Sequence, residues 1–221
     1  MSYVVANWKM EMSLSDVKVW LDGFSQNFTE VSRVITVIAP SFVHIYEVAE
    51  EMDGLEKVSI GAQDVSVELK GSHTGEVGAF QIKDFCNYCI IGHSERAENT
   101  MLVVQKRDVA LEHGLKPIVC FTSLSQAELL YKEGVILAWE DPKNISSDGI
   151  YNEKPIKEII GTVAEIRRYL PEESVLLYGG SVNKGNISAL ASVSGLNGVL
   201  VGQASLDPHH FLKLIEAYEV S

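Results

Sequence analysis

Short apolar runs rich in β-branched residues recur along the chain, and each is followed by a stretch with helical periodicity. The runs cover residues 3–6, 34–38, 57–60, 88–91, 117–120, 135–138, 174–178 and 198–201. The amphipathic stretches cover 13–28, 43–52, 80–85, 101–113, 126–133, 153–169, 186–191 and 208–217. Eight strand–helix units in 221 residues fit an α/β chain closed into a (β/α)8 barrel, near the short end of its usual size. A doubly wound open sheet is the competing pattern, but it wants a glycine-rich loop after the first strand. Here the first strand runs into Asn7-Trp8-Lys9-Met10. No linker, charge block or low-complexity stretch divides residues 1–221, so they read as one domain. Local signals agree: Ser13-Leu14-Ser15-Asp16 is a capping box, Asp207-Pro208 a cap before a first-turn proline, and Gly114 a stop.

Charge and apolar runs exclude several partner classes. Lys and Arg number 18 against 30 Asp and Glu, a formal net charge of −12. Such a chain repels a nucleic-acid duplex and an anionic bilayer. No apolar run approaches the roughly 18 residues of a membrane span. The start, Met1-Ser2-Tyr3, lacks the basic and apolar regions of a secretory signal. The expectation is a cytoplasmic protein with no nucleic-acid or membrane partner. An anionic metabolite could still bind in a locally organised pocket. Cys86 and Cys89 form a C-x-x-C, but no second Cys/His pair stands at matching spacing. They flank the entry to an apolar strand, which favours buried packing thiols over a zinc or redox site.

In a closed barrel the chemistry sits at the C-terminal strand ends. Those ends carry Asn7 and Lys9 after the first strand, Gly92-His93-Ser94-Glu95-Arg96 after the fourth, and Glu140 after the sixth. Gly179-Gly180-Ser181 follows the seventh strand and Gly202-Gln203 the eighth. Taken singly, a lysine there is usually solvated, a histidine usually a satisfied polar residue, and a Gly-Gly usually a turn. Converging on one face, they suit a specific chemistry. A carboxylate can take a carbon-bound proton beside a carbonyl, while an ammonium and an imidazole N–H stabilise the enediolate. Glycine-flanked backbone N–H groups can cradle a phosphate without a basic patch. This describes an isomerase of a small phosphorylated sugar that needs no cofactor, and no HExxH spacing marks a metal site.

Six blocks carry a family resemblance. They are Ala6-Asn7-Trp8-Lys9-Met10, Gly61-Ala62-Gln63-Asp64, Thr74-Gly75-Glu76-Val77, Ile90-Ile91-Gly92-His93-Ser94-Glu95-Arg96, Leu177-Tyr178-Gly179-Gly180-Ser181-Val182 and Leu200-Val201-Gly202. In this order and spacing the chain resembles the triosephosphate isomerase family along nearly its whole length. The resemblance implies a TIM barrel and interconversion of D-glyceraldehyde 3-phosphate and dihydroxyacetone phosphate. It implies Glu140 as the base moving the proton between C1 and C2, His93 as neutral electrophile and Lys9 as stabiliser of the enediolate. Asn7 would orient Lys9 and the substrate oxygen, and Glu95 would lie just behind these groups. The phosphate would rest on the N–H groups of Ser146, Ser181, Gly202 and Gln203. Ile145 and Leu200 would clamp over the reacting carboxylate. A homodimer, or alternatively a tetramer, would form through the loop from Gln63 to Gly78.

The match is weakest after Glu140. The family pattern there is roughly Pro-x-Trp-Ala-Ile-Gly-Thr-Gly, and this chain reads Asp141-Pro142-Lys143-Asn144-Ile145-Ser146-Ser147-Asp148-Gly149. Ser146 and Asp148 stand in place of glycines. Asp141 is expected to add like charge beside Glu140, near a dianionic substrate. Gln203 also replaces a glycine, and its backbone contact survives if φ allows. The alternative to an isomerase is a weak or inactive barrel that binds phosphorylated metabolites. A synthase on the same phosphate-binding barrel would not need Lys9, His93 and Glu140 together.

Overall fold

The computed structural model describes residues 1–144 and 150–220. Eight parallel strands close into a barrel in sequence order: β1 (Ser2–Asn7), β2 (Val34–Ala39), β3 (Val58–Ala62), β4 (Tyr88–Ile91), β5 (Lys116–Phe121), β6 (Ile136–Trp139), β7 (Val175–Tyr178) and β8 (Gly198–Val201). The ring closes where Tyr3 of β1 pairs with Gly198 of β8. Gly198 has φ +152°, and a Cβ there would stand 2.0 Å from the Tyr3 carbonyl oxygen, so only glycine permits this closure.

The helices are α1 (Leu14–Asn27), α2 (Ile45–Met52), α3 (Ala79–Ile82), α4 (Thr100–Glu112), α5 (Leu124–Leu130), α6 (Ile156–Arg167), α7 (Ile187–Ala191) and α8 (Pro208–Glu219). Ser13 caps α1 with Asp16 completing the box, Asp207 caps α8, and Gly114 takes φ +80° after α4. Several boundaries differ from the sequence pattern, among them the ends of α3 at Ile82 and α5 at Leu130 and two helix starts. Helix α6 starts at Ile156 rather than 153, because Pro155 drives the residue before it out of the helical region. Helix α5 starts earlier than 126, because Ser123 and Gln126 make a capping box of their own.

Strand periodicity divides the apolar residues into two cores. Tyr3, Val5, Val37, Ile90, Ile118, Ile136, Ala138, Leu177 and Leu200 fill the barrel. Val4, Ala6, Ile38, Cys89, Ile91, Val119, Leu137, Leu176 and Val201 face the helices. Between α1 and α8, Trp20 stacks on Phe24 at 4.8 Å, and its indole N–H donates to the Ser205 carbonyl. The same parity aims the functional face. Continuing Tyr3, Val5 brings Asn7 inward, and continuing Ile136, Ala138 brings Glu140 inward. Asp141 is then sent the other way, towards the helix layer.

Cys86 and Cys89 are buried in the outer core and carry free thiols. Burial raises the Cys86 thiol to about 12 and lifts the Cys89 thiol further still. They pack, and little of either is the thiolate that redox or zinc chemistry uses. Among the described residues, no helix is long and apolar enough to cross a membrane.

Candidate functional site

A cleft opens at the C-terminal mouth of the barrel. Asn7, Lys9, His93, Glu140, Gly179, Ser181, Val182, Leu200, Gly202 and Gln203 line it. Strands β1, β4, β6, β7 and β8 thus each contribute at least one residue read from the sequence. Ile145 and Ser146, also singled out there, lie outside the described residues.

Glu140 is 1% exposed. Its Oε2 accepts from the Ser94 backbone N–H at 2.8 Å, and its Oε1 lies 3.0 Å from His93 Nε2. The turn that supplies both contacts depends on Gly92, at φ +71°, where a Cβ would stand 2.9 Å from Val103. His93 then caps a short 3-10 helix, Ser94–Arg96, and its Nδ1 accepts from the Glu95 N–H at 3.4 Å. The Glu95 carboxylate is 3.6 Å from the same nitrogen, beyond hydrogen-bond range. An accepting Nδ1 leaves the ring proton on Nε2, where it donates to Glu140. Cys120 lies beneath this pair, and burial, then the Glu140 charge, hold its thiol far above the usual range.

Lys9 takes φ +52°, a left-handed conformation that costs a non-glycine residue about 1–2 kcal/mol. Three bonds hold it. The Lys9 N–H donates to Asn7 Oδ1 at 3.2 Å, and its carbonyl accepts from Ser41 Oγ at 2.8 Å and Gln63 Nε2 at 2.9 Å. Gln63 also donates to the Ala39 carbonyl, which ties β2 to the turn after β1. The Lys9 ammonium pairs with Glu95, so Glu95 touches Lys9 directly. A Cβ on Gly202 would lie 3.4 Å from Lys9 Cε, which places the lysine stem against the turn after β8. Behind the site, Lys106 is buried and bridges Asp64 at 2.7 Å and Glu98 at 2.6 Å, while Arg96 reaches Asp64 at 2.7 Å.

At the other end, Gln203 opens a short 3-10 helix, Gln203–Ser205, without positive φ. The condition for a backbone donor at this former glycine position is therefore met. Leu200 reaches into the cleft from β8 and is 4% exposed.

The stretch after Glu140 departs most from the sequence reading. The Asp141 charge was expected to bear on the site. Instead Asp141 turns outward, as strand parity requires, and pairs with Lys154 at 2.9 Å. Burial alone would raise the Asp141 carboxyl, but the bonds from Lys154 and the Lys143 N–H outweigh it and hold it below the usual range. Sequence reasoning missed this pair, as it missed Ser41, Cys120 and the Lys106 cluster. Lys154 and Lys106 lie on helices or beside them, far from any strand-end motif, so no spacing signal pointed to them.

The triosephosphate isomerase family model matches residues 2–218. The chain belongs to the triosephosphate isomerase family. A triosephosphate isomerase of Wolbachia pipientis wMel is 32% identical, over 98% of this chain and 93% of that protein. One of Endomicrobium trichonymphae is 32% identical, over 96% of this chain and 97% of its own length. One of Mycoplasmoides gallisepticum is 31% identical, over 97% of each. The family likeness thus spans the whole barrel, the divergent stretch after β6 included.

Proposed function

We propose that the protein is an aldose–ketose isomerase that interconverts D-glyceraldehyde 3-phosphate and dihydroxyacetone phosphate, the triose step shared by glycolysis and gluconeogenesis. One observation carries the mechanism: the His93 Nε2–H and the Glu140 carboxylate meet at 3.0 Å inside the cleft. Each holds what the other lacks for enolisation. A substrate carbonyl entering between them accepts the Nε2–H, and the displaced carboxylate is freed to take the proton from the adjacent carbon. The negative charge then develops on oxygen beside Lys9, whose ammonium stabilises it. Glu140 returns the proton to the neighbouring carbon. Asn7 and Glu95 hold Lys9 from its backbone and from its ammonium.

The phosphate rests on the N–H groups of Ser181, Gly202 and Gln203, with Ser146 as a further donor and Ile145 with Leu200 as the apolar cover. The proton moves between side chain and substrate, so this reading uses no cofactor and no metal. The whole of 1–221 acts as one barrel domain in the cytoplasm.

We further propose a homodimer. Residues 68–76 stand exposed between β3 and α3, and a second cleft lies open beside Lys9, Met10, Phe42 and Gln63. Met10 is 94% exposed and Val43 84%, an apolar surface that a two-fold pairing would cover. Light scattering at micromolar concentration should give twice the chain mass, or four times for a tetramer, and a purely monomeric mass would refute the pairing.

A coupled isomerase assay in both directions tests the activity. Turnover unchanged by EDTA and abolished in Glu140→Gln is expected. A rate no higher than that of the variant would leave only a barrel that binds phosphorylated metabolites.

A further inference from the structure

We infer that Lys154 is a positioning residue for Glu140, holding the charge of Asp141 outside the barrel mouth and securing the chain that follows the base. The inference rests on the reading of Glu140 as the base.

Adjacent residues at a strand end point in opposite directions. Glu140 is turned inward to His93 and Ser94, and Asp141 outward to Lys154. Lys154 is an unusual residue for that task. It lies before α6, not on a strand, yet its side chain is only 15% exposed and lies between Asp141 at 2.9 Å and Glu158 at 3.4 Å. Other bonds hold the two backbone segments side by side. Asn144 Nδ2 donates to the Asn152 carbonyl at 2.9 Å, and Asn152 Nδ2 donates to the Lys143 carbonyl. Ser181 Oγ donates to the Asn144 carbonyl at 2.7 Å and accepts from the Asn152 N–H at 3.0 Å. The ion pair therefore closes a polar seam that begins one residue after the base and runs to the turn after β7.

The local charges explain why the seam needs a cation. Asp141 follows Glu140 directly and is faced by Lys154, by Lys143 and by the Tyr178 hydroxyl, which Glu153 also faces. Glu140 itself is faced by His93 from β4 and by Cys120 from β5. Two carboxylates thus stand back to back at the end of β6, Glu140 lining the cleft and Asp141 turned away from it. Lys154 is the cation bound directly to Asp141, and the Asp141 bond holds its ammonium above the usual range. Remove it, and an uncompensated carboxylate sits next to the base. A nearby like charge disfavours the ionised form, so the base would be protonated at higher pH.

The test compares Lys154→Met, Lys154→Gln, Lys154→Arg, Asp141→Asn and the Asp141→Asn/Lys154→Met pair. The readouts are kcat, KM and the acid limb of the kcat/KM pH profile, with thermal unfolding measured alongside. Lys154→Met should lower kcat about 3- to 10-fold and move the acid limb up by roughly half a pH unit, by the like-charge effect. Lys154→Gln should move the limb equally, since it loses the same charge while keeping a donor, and it serves if the methionine variant does not fold. Lys154→Arg should stay close to the parent, Asp141→Asn should move the acid limb in the opposite direction, downward, and the double variant should recover most of the loss. An unmoved acid limb in both neutral Lys154 variants overturns the inference, as does a double variant no better than Lys154→Met. A loss of melting temperature alone, with the limb unmoved, marks an ordinary structural ion pair. If instead Glu140→Gln keeps full activity, the base has been misassigned, a failure distinct from any of these.

Discussion

Residues at the ends of β1, β4 and β6 are placed by backbone geometry, whereas residues 141–144 and 150–154 are held by side-chain bonds to one another. On the first side, strand parity aims Asn7 and Glu140, Gly92 makes the turn that presents His93, and a left-handed Lys9 is fastened through its own backbone. On the second, Asp141, Asn144, Asn152, Lys154 and Ser181 tie the two stretches together. A site built on backbone tolerates little variation, because each residue answers to the ring. A seam of side chains can change its members together and still close.

The sharpest break in that comparison is at the base. Glu140→Gln keeps the shape and the Ser94 contact but cannot take a proton. Its kcat should fall by about three to four orders of magnitude, at the upper end of what general base catalysis contributes. A steady-state assay on variant free of host isomerase checks it. A fall of only a few-fold would mean that the backbone-built side does not hold the chemistry.

Next in size is Lys9→Met, which removes the ammonium while the three backbone bonds at Lys9 persist. Loss of one charge aimed at the developing oxyanion should cost about 10²–10³ in kcat. Circular dichroism and melting temperature should barely move. If the variant unfolds instead, Lys9 serves the fold more than the reaction.

Most of the barrel was legible because its signal is repetitive. Each strand announced itself by β-branched runs, and parity then assigned the inside and outside of the sheet. The strand-end residues were legible because the fold collects them on one face. What stayed hidden depends on contacts across sequence distance. Ser41 reaches Lys9 across 32 positions, and Lys106 reaches Asp64 across 42. Asp141 was legible as a charge but not as a paired one, since its partner is 13 residues on and begins no motif. The start of α6 is hidden because the helical periodicity extends back past Pro155, which keeps its predecessor out of the helix.

The thiols sharpen the comparison from beneath. Cys86, Cys89 and Cys120 are buried in the backbone-built part, with Cys86 raised to about 12. In the unfolded chain a thiol ionises near 9, so above that pH the unfolded state sheds a proton that the folded state keeps. Stability from Cys86 is therefore complete below about 9 and falls as pH rises towards 12, by on the order of 1 kcal/mol per pH unit. Chemical denaturation at pH 7, 9 and 10.5 should show a falling midpoint, with Cys86→Ala falling less steeply. A thiol reagent at pH 7.5 should label none of the three until the protein unfolds, and prompt labelling would show that the wall opens.

The smallest expected effect is at Gln203, where the two modes of construction meet. Its N–H belongs to the backbone of a short 3-10 helix, and the residue lines the cleft. If the phosphate is held by the backbone, removing the side chain leaves the donor in place, because φ here is not positive and alanine adopts it without strain. Gln203→Ala should then raise KM for glyceraldehyde 3-phosphate by no more than about three-fold and leave kcat alone, as loss of uniform binding does. Competitive inhibition by inorganic phosphate should weaken by the same factor. Gln203→Pro deletes the N–H itself and should weaken both by more than ten-fold. A carboxamide that matters as much as the backbone donor would give nearly equal losses in the two variants. The phosphate end would then belong with the side-chain seam after β6 rather than with the strand-built wall.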